Sequence, residues 1–303
     1  MSCCYMFPGL GADYPGMIEK FRIYHPWSQK LLADWSELVG CDLSAEHAAS
    51  DWERENLHQL RIHTLNLLWW RVVRQSSLDA NYSCCGHSLG FYAAAVAAGS
   101  LTEEMSFRWL QAMFSAAWDE FQENTGKIAV ITTNTPIGAH SLARRFSVEV
   151  LAINSAYQIV VYGSEQDIER LCCTLEGALI RRDDFDARIP FHSIRMWRVT
   201  ETVAARAAEL GLTVGPPVQA LWSHITGERL FSADQVFATL TRQPCQTVLW
   251  QQLVRNLRSQ HYSEFVEVGP SRVLTQIARW NAPHTPVRYV DNLRKAKRSE
   301  ARG

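Results

Sequence analysis

One pentapeptide in the chain has the spacing expected of a catalytic serine held on a tight turn. Residues 86–90 read Gly-His-Ser-Leu-Gly, a G-x-S-x-G sequence centred on Ser88. A strand-like run precedes it and a segment of small residues typical of a helix follows it. Strand, turn and helix in that order expose the serine hydroxyl beside the N-terminus of the new helix. Alone, the motif is equally compatible with a glycine-rich turn whose serine caps the helix.

The elements around Ser88 predict a parallel sheet covered by helices. A buried strand at residues 3–7 ends in a glycine-rich loop, Pro8–Gly11, whose backbone N–H groups could face a phosphate or an oxyanion. An apolar helix over residues 51–75 then leads into the strand before Ser88. Strand, helix and strand in this order are typical of an α/β core. Further helices are predicted over 15–38 and 102–122.

The pattern changes near residue 126 and indicates a second, smaller unit. Strand-like runs and helical segments follow one another in the order β-α-β-β-α-β, which is that of a ferredoxin-like unit. We therefore expect a small domain over residues 126–188 inserted into a large domain formed by residues 1–125 and 189–303.

Composition narrows the function classes. Of 303 residues, 47% are hydrophobic and 20% are charged, as in globular proteins, and the net charge of −1 gives no sign of nucleic-acid binding. The eight cysteines include three adjacent pairs but no C-x-x-C metal spacing. We expect reduced cysteines in a cytoplasmic protein, with no signal peptide, membrane span or metal.

Five separated stretches share the order and spacing of one enzyme family. Together they resemble the malonyl-CoA:acyl carrier protein transacylase family, which includes the acyltransferases of polyketide synthases. The resemblance implies an α/β-hydrolase-like large domain with a ferredoxin-like small domain and an active site in the groove between them. It also implies a ping-pong reaction through an acyl-serine. The stretches are residues 7–11, 86–90, 154–158, 190–193 and 267–271.

Catalytic roles follow from the resemblance, position by position. Ser88 matches the nucleophile and His192 the general base, with the backbone carbonyl of Gln243 in place of an acidic third member. The backbone N–H groups of Leu10 and Leu89 would form the oxyanion hole. Position 10 is usually glutamine in the family and is leucine here, but the backbone N–H group that would donate is the same in both residues.

Further residues match the substrate-binding and carrier-binding parts of the family. For Gln59 and Asn154, lining the site and structural hydrogen bonding are equally open, and His87 matches the residue before the nucleophile. Because carrier proteins are acidic, arginines near the His192 segment are candidates for guiding them, although they are equally compatible with ordinary solvated arginines. The substrate-binding candidates are Gln59, His87, Met113, Asn154, Gln158 and Phe191, and the carrier-binding candidates are Arg181, Arg182, Arg195 and Arg198.

One departure from the family bears on the substrate. Malonyl-transferring members have an arginine on the helix after the nucleophile, which pairs the free carboxylate of the substrate. Counting without a gap from Ser88, that position is Met113. A methionine suits an apolar or bulky acyl chain and offers a carboxylate no partner. We therefore expect transfer of a neutral, aminoacyl or peptidyl-type acyl group between phosphopantetheine thiols of acyl carrier proteins or coenzyme A.

Three alternatives stay open at this point. The same scaffold could hydrolyse acyl thioesters if water reaches the acyl-serine. An ordinary malonyl transferase is possible if another arginine reaches the pocket, and a non-catalytic docking module is possible if the serine is inert. No bound cofactor is implied beyond the phosphopantetheine arm that carries the acyl group.

Overall fold

The computed structural model describes residues 3–45, 48–75, 81–121, 126–185 and 188–290. Two short 3-10 turns span Ile194–Met196 and Gln243–Cys245. The strands are β1 (Cys3–Phe7), β2 (Tyr82–Gly86), β3 (Lys127–Thr133), β4 (Glu149–Ser155), β5 (Gln158–Gly163), β6 (Leu179–Phe185), β7 (Ala220–Trp222), β8 (Arg229–Leu230), β9 (Glu264–Glu267) and β10 (Val287–Tyr289). The helices are α1 (Met17–Tyr24), α2 (Ser28–Val39), α3 (Asp51–Arg74), α4 (Gly90–Ala97), α5 (Glu103–Glu120), α6 (Ala139–Phe146), α7 (Glu165–Thr174), α8 (Trp197–Glu209), α9 (Ala233–Arg242), α10 (Trp250–Ser259) and α11 (Val273–Asn281).

The first sheet has the strand that leads into the G-x-S-x-G motif near its centre. Its order is β10-β9-β1-β2-β7-β8, and every pairing except that of β8 with β7 is parallel. β1 is buried along its whole length, as expected for a parallel strand covered on both faces. The mixed α/β fold that the sequence predicts is therefore confirmed.

The second sheet is antiparallel and has the order β4-β5-β3-β6. Along the chain its elements follow as β3, α6, β4, β5, α7 and β6. One extended segment ties it to the rest of the protein. The Ile153 N–H donates to the Val248 carbonyl at 2.8 Å, and the Val248 N–H donates to the Leu151 carbonyl at 2.9 Å. The polypeptide just before Val248 is thereby fixed beside the second sheet.

Two predicted helices had different outcomes. The long helix over 51–75 is present as α3, with the Ser50 hydroxyl accepting from the Glu53 N–H at its start. The predicted helix over 15–38 is instead two helices, because α1 ends at Tyr24 and Pro26 cannot continue the hydrogen-bond ladder. The expected domain boundaries fall beside residues 122–125 and 186–187, which lie outside the described residues.

Candidate active site

Ser88 occupies a sharp turn between β2 and α4. Its φ is 53°, a left-handed backbone conformation that is uncommon for a residue with a side chain and marks a strained turn. The flanking glycines are required by close packing. A Cβ on Gly86 would lie 2.2 Å from the carbonyl of Gly90, and a Cβ on Gly90 would lie 2.0 Å from the Phe7 carbonyl oxygen. The two glycines let strand and helix approach closely enough to present Ser88.

His192 lies directly beside the serine. Ser88 Oγ and His192 Nε2 are 2.6 Å apart, although the residues are 104 positions apart in the chain. On the far side of the ring, His192 Nδ1 is 3.0 Å from the carbonyl oxygen of Gln246. A carbonyl oxygen only accepts, so Nδ1 carries the hydrogen and Nε2 is free to accept the Ser88 proton. This is the geometry required of a nucleophile and its general base.

Two carbonyls act on the His192 ring. The sequence predicts the Gln243 carbonyl in this role; the Gln246 carbonyl, three residues later, is the one at 3.0 Å from Nδ1, and hydrogen bonding to both carbonyls raises the His192 pKa. In the 3-10 turn between them, the Pro244 carbonyl accepts from the His192 backbone N–H at 2.7 Å. His192 itself has a φ of 73°. The histidine is thus fixed at both its backbone and its ring.

His192 is neutral in this environment. Burial lowers the pKa of His192 to about 4, and the nearby ring of His87 acts in the same direction. Hydrogen bonds to the carbonyls of Gln246 and Gln243 oppose the decrease in pKa but are outweighed. At neutral pH the imidazole is therefore available to accept a proton.

Two backbone donors lie next to the serine. Among the described residues, the N–H groups of Leu10 and Leu89 donate to no acceptor. The loop carrying Leu10 approaches the turn closely, because a Cβ on Gly9 would lie 2.6 Å from the His87 carbonyl oxygen and 3.3 Å from the Leu89 nitrogen. The unused donors are available for the oxyanion of a tetrahedral intermediate.

A wide groove between the two sheets opens onto Ser88 and His192. Its cavity volume is about 780 Å³, and apolar residues of β3, β4 and β6 line one wall. At the floor, His87 Nε2 is 2.8 Å from Asn154 Oδ1, and Asn154 Nδ2 donates to Gln158 Oε1 at 3.0 Å. Gln158 then donates to the Thr132 hydroxyl at 3.1 Å. This chain links the turn before Ser88 to the second sheet.

A second, small pocket lies on the other side of Ser88 and His192. Its side chains nearly fill it, leaving a cavity volume of about 20 Å³. The expected substrate-binding residues Gln59, Met113 and Phe191 all line it, and Met113 is buried. No arginine, lysine or carboxylate is among its lining residues. The complete lining is Leu10, Gln59, Ser88, Leu89, Tyr92, Met113, Phe191, His192, Gln243 and Pro244.

The four candidate carrier-binding arginines all have acidic partners. Arg181 pairs with Asp183 at 2.6 Å, and Arg182 pairs with Glu165 at 2.6 Å and with Asp184 at 2.7 Å. Arg195 pairs with Glu149, and Arg198 lies 3.8 Å from Glu120. Of the four, only Arg181 lines the groove. These pairs reduce the positive charge that the candidate arginines offer to an acidic partner.

Three residues of the site were not anticipated from the sequence. Tyr92 lies one helical turn after Ser88 and lines the small pocket, a position that i, i+4 spacing could have indicated. Arg279 lines the groove, is exposed, and has no carboxylate partner in the described part of the chain. His224 is fully buried with its ring 6.0 Å from that of His192, and nothing in the sequence marked it.

Metal and membrane sites were also sought in the described ranges. These contain no group of three or more His, Cys, Asp or Glu side chains that could hold a metal ion. None of the helices in these ranges is long and apolar enough to cross a membrane. All eight cysteines are free thiols.

A serine and a neutral histidine are in hydrogen-bond contact, and beside them are two backbone N–H groups with no acceptor in the described part of the chain. This is the arrangement that chemistry through a serine ester requires, whether the acyl group passes to a thiol or to water. Comparison with known proteins agrees. The family model described as an acyl transferase domain matches residues 80–295. The chain therefore belongs to the acyl transferase domain family and is an acyltransferase.

Its relatives include malonyl transferases and polyketide biosynthesis proteins. The malonyl CoA-acyl carrier protein transacylase of Escherichia coli K12 is 25% identical over 301 residues, covering 95% of this chain and 93% of that protein. The polyketide biosynthesis protein ThaF of Burkholderia thailandensis is 28% identical over 284 residues, covering 91% of this chain and 24% of that protein.

Solved structures share the fold. A malonyl-transacylase, PlMCAT, in complex with the type II PKS acyl-carrier protein AntF, has a TM-score of 0.84 at 23% identity, covering 95% of each chain. MCAT from Mycobacterium tuberculosis has a TM-score of 0.84 at 22% identity, covering 95% of this chain and 96% of that one.

Proposed function

We propose that this protein transfers an uncharged acyl group between phosphopantetheine thiols of acyl carrier proteins in polyketide or related biosynthesis. The observation that carries the proposal is the small pocket beside Ser88, which is lined by Met113 and by no cationic side chain. The relatives and neighbours whose names mention carrier proteins support the choice of a carrier-borne thiol.

The reaction follows from the contacts of Ser88. Its oxygen attacks the carbonyl carbon of an acyl thioester while the proton passes to His192 Nε2. The backbone N–H groups of Leu10 and Leu89 stabilise the oxyanion. The C–S bond then breaks, and the leaving thiolate takes the proton from His192. A second thiol repeats these steps in reverse, so the acyl group moves from one sulfur to another.

The lining of the small pocket disfavours a malonyl group. A malonyl carboxylate placed there would lose its hydration without gaining a cation, which costs several kcal/mol, on the order of a thousandfold or more in affinity. Met113 is flexible and polarisable, so it can move aside for a short uncharged chain. The other lining groups are apolar or neutral.

The groove suits the pantetheine arm and its carrier. Its volume of about 780 Å³ and its apolar wall are compatible with the thin, largely uncharged arm. The guanidinium of Arg279 is exposed and has no carboxylate partner among the residues that the structure describes. It is therefore better available to the phosphate or to an acidic carrier surface than Arg181, Arg182, Arg195 or Arg198.

We also propose the finer architectural assignment. The strand order β4-β5-β3-β6 and the β-α-β-β-α-β sequence of elements support a ferredoxin-like small domain over residues 126–188. The parallel sheet that carries Ser88 after a strand supports an α/β-hydrolase-like large domain from the remaining residues.

Intact-protein mass spectrometry after a short incubation tests the acyl preference. The wild type is offered malonyl-CoA or butanoyl-CoA, and Ser88→Ala serves as the unlabelled control. We expect the butanoyl adduct to form at least tenfold faster than the malonyl adduct. Met113→Arg should raise malonyl loading at least tenfold, whereas the uncharged control Met113→Leu should not. Faster malonyl loading of the wild type would refute the proposal.

The same experiment distinguishes transfer from hydrolysis. Once Ser88 is acylated, the enzyme is divided between buffer alone and buffer with a holo-carrier protein. A transferase loses its adduct at least tenfold faster with the carrier and yields acylated carrier. Equal rates of loss, with free acid as product, would identify a thioester hydrolase instead.

A further inference from the structure

Two polar side chains in the small pocket have donors left over. The Tyr92 hydroxyl and the Gln243 side-chain amide are buried and lie against each other, and within the described residues neither makes a hydrogen bond of regular geometry to any other group. With one Gln243 N–H directed at the Tyr92 oxygen, the Tyr92 O–H and the second Gln243 N–H still have no acceptor in the described part of the chain. Both residues line the pocket beside Ser88. Leaving a buried donor without a partner costs about 1–3 kcal/mol, so donors that line the pocket beside Ser88 are available to an acceptor on a bound acyl group.

The two donors belong to different elements that converge on one place. Tyr92 is on α4, four positions after Ser88, and its side chain is fully buried. Gln243 follows the end of α9 and is 3% exposed. The Gln243 amide is close enough to the Tyr92 hydroxyl to oppose the rise in the Tyr92 pKa that burial causes. One small acceptor can therefore reach both groups.

Gln59 is a third polar residue of the pocket. It is 4% exposed, and its side chain makes no hydrogen bond among the described residues. With Met113 and Phe191 completing the wall, the pocket combines neutral hydrogen-bonding groups with apolar surface. Neutral donors satisfy an uncharged oxygen fully but leave a carboxylate without a counter-charge.

We propose that the acyl group carried on Ser88 bears an uncharged oxygen acceptor beyond its thioester carbonyl, such as a keto, hydroxyl or amide oxygen, and that the Tyr92 hydroxyl and the Gln243 N–H group bind it. This substrate class rests on the proposed function, because it names the acyl group of the same site. The cavity volume of about 20 Å³ holds about one water-sized group, so Met113 must move for the pocket to take more of the chain than the acceptor oxygen.

The test compares two thioesters of similar size. Acetoacetyl-pantetheine has a keto oxygen at the third carbon, and butanoyl-pantetheine has hydrogens there. The rate constant for Ser88 acylation is measured with each, and their ratio is taken for the wild type, Tyr92→Phe and Gln243→Leu. The keto group makes the thioester more reactive in any protein, so the ratio of the two rate constants in one protein does not report binding. The test is therefore whether this ratio differs between the wild type and each variant.

We expect each variant to lower the acetoacetyl-to-butanoyl ratio about three- to tenfold. Butanoyl loading in the same variants reports whether they fold and whether Ser88 and His192 still react. Tyr262→Phe is the matched control, because it removes a phenolic hydroxyl that contacts Ser83 at 2.5 Å rather than the pocket, and it should keep the wild-type ratio.

The outcomes separate the two proposals. An unchanged ratio in both pocket variants, with malonyl still excluded, would overturn the inference and leave the proposed function intact. Efficient malonyl loading of the wild type that falls in Tyr92→Phe and Gln243→Leu would show that the donors hold a carboxylate, and would overturn both. A lowered ratio with malonyl excluded supports both.

Discussion

The rate of Ser88 acylation should stay nearly constant from pH 7 down to pH 5. The reason is the environment of the general base, since burial lowers the pKa of His192 to about 4. At pH 5 about 90% of a group with that pKa is still neutral, whereas only about 3% of an ordinary histidine of pKa 6.5 would be. The two cases therefore differ about thirtyfold in the fraction of active base at pH 5.

Single-turnover acylation by butanoyl-pantetheine measures this difference. That thioester has no phosphate, so the substrate does not titrate in the range. Circular dichroism at each pH checks that the protein stays folded. A rate that is already halved near pH 6.5 would refute the assignment of a buried, neutral His192. A plateau to pH 5 that is abolished by Ser88→Ala would support it.

Two further predictions concern charge. Substituting Arg279 with Glu should raise the KM for an acyl carrier protein about tenfold while leaving pantetheine thioesters within about twofold, and the same effect on both substrates would contradict a carrier contact. Acidification should destabilise the fold. His63, His87, His192 and His224 all have pKa values lowered by burial, so the unfolded chain takes up protons below pH 6.5 that the folded chain does not. Between pH 7 and 5.5, His63, His192 and His224 together remove about 4 kcal/mol of stability, and His87 adds to this loss. The loss is partly offset because burial raises the Glu267 pKa to about 7 and the folded chain gains about 1.5 kcal/mol by protonating it. Urea unfolding should show a net loss of about 2 kcal/mol or more, and equal or greater stability at pH 5.5 would contradict this balance.

Sequence reasoning predicted the placement of residues where that placement depends on local spacing. The nucleophile turn was predictable because Gly86 and Gly90 flank a serine between a strand and a helix. Met113 was found by counting along helices without a gap, and it does line the pocket. The sequence pointed to the Gln243 carbonyl as the partner of His192, and the structure adds the Gln246 carbonyl, which is 3.0 Å from Nδ1 and which no sequence pattern marked because the direction of a carbonyl depends on the path of the 3-10 turn.

The polar residues of the small pocket were harder to find in the sequence, because only the tertiary structure brings them together. Tyr92 resembles any aromatic residue on a buried helix until the end of α9 brings Gln243 beside it. Ser88 and His192 both have positive φ values, each a conformation that costs about 1–3 kcal/mol and that only the surrounding structure can maintain. For Ser88, the glycines packed against β1 impose the turn, and for His192, the Pro244 and Gln246 carbonyls hold the backbone and the ring. The parallel sheet and the segment before Val248 therefore determine the geometry of Ser88 and His192, and we propose that the small pocket determines which acyl group reaches them.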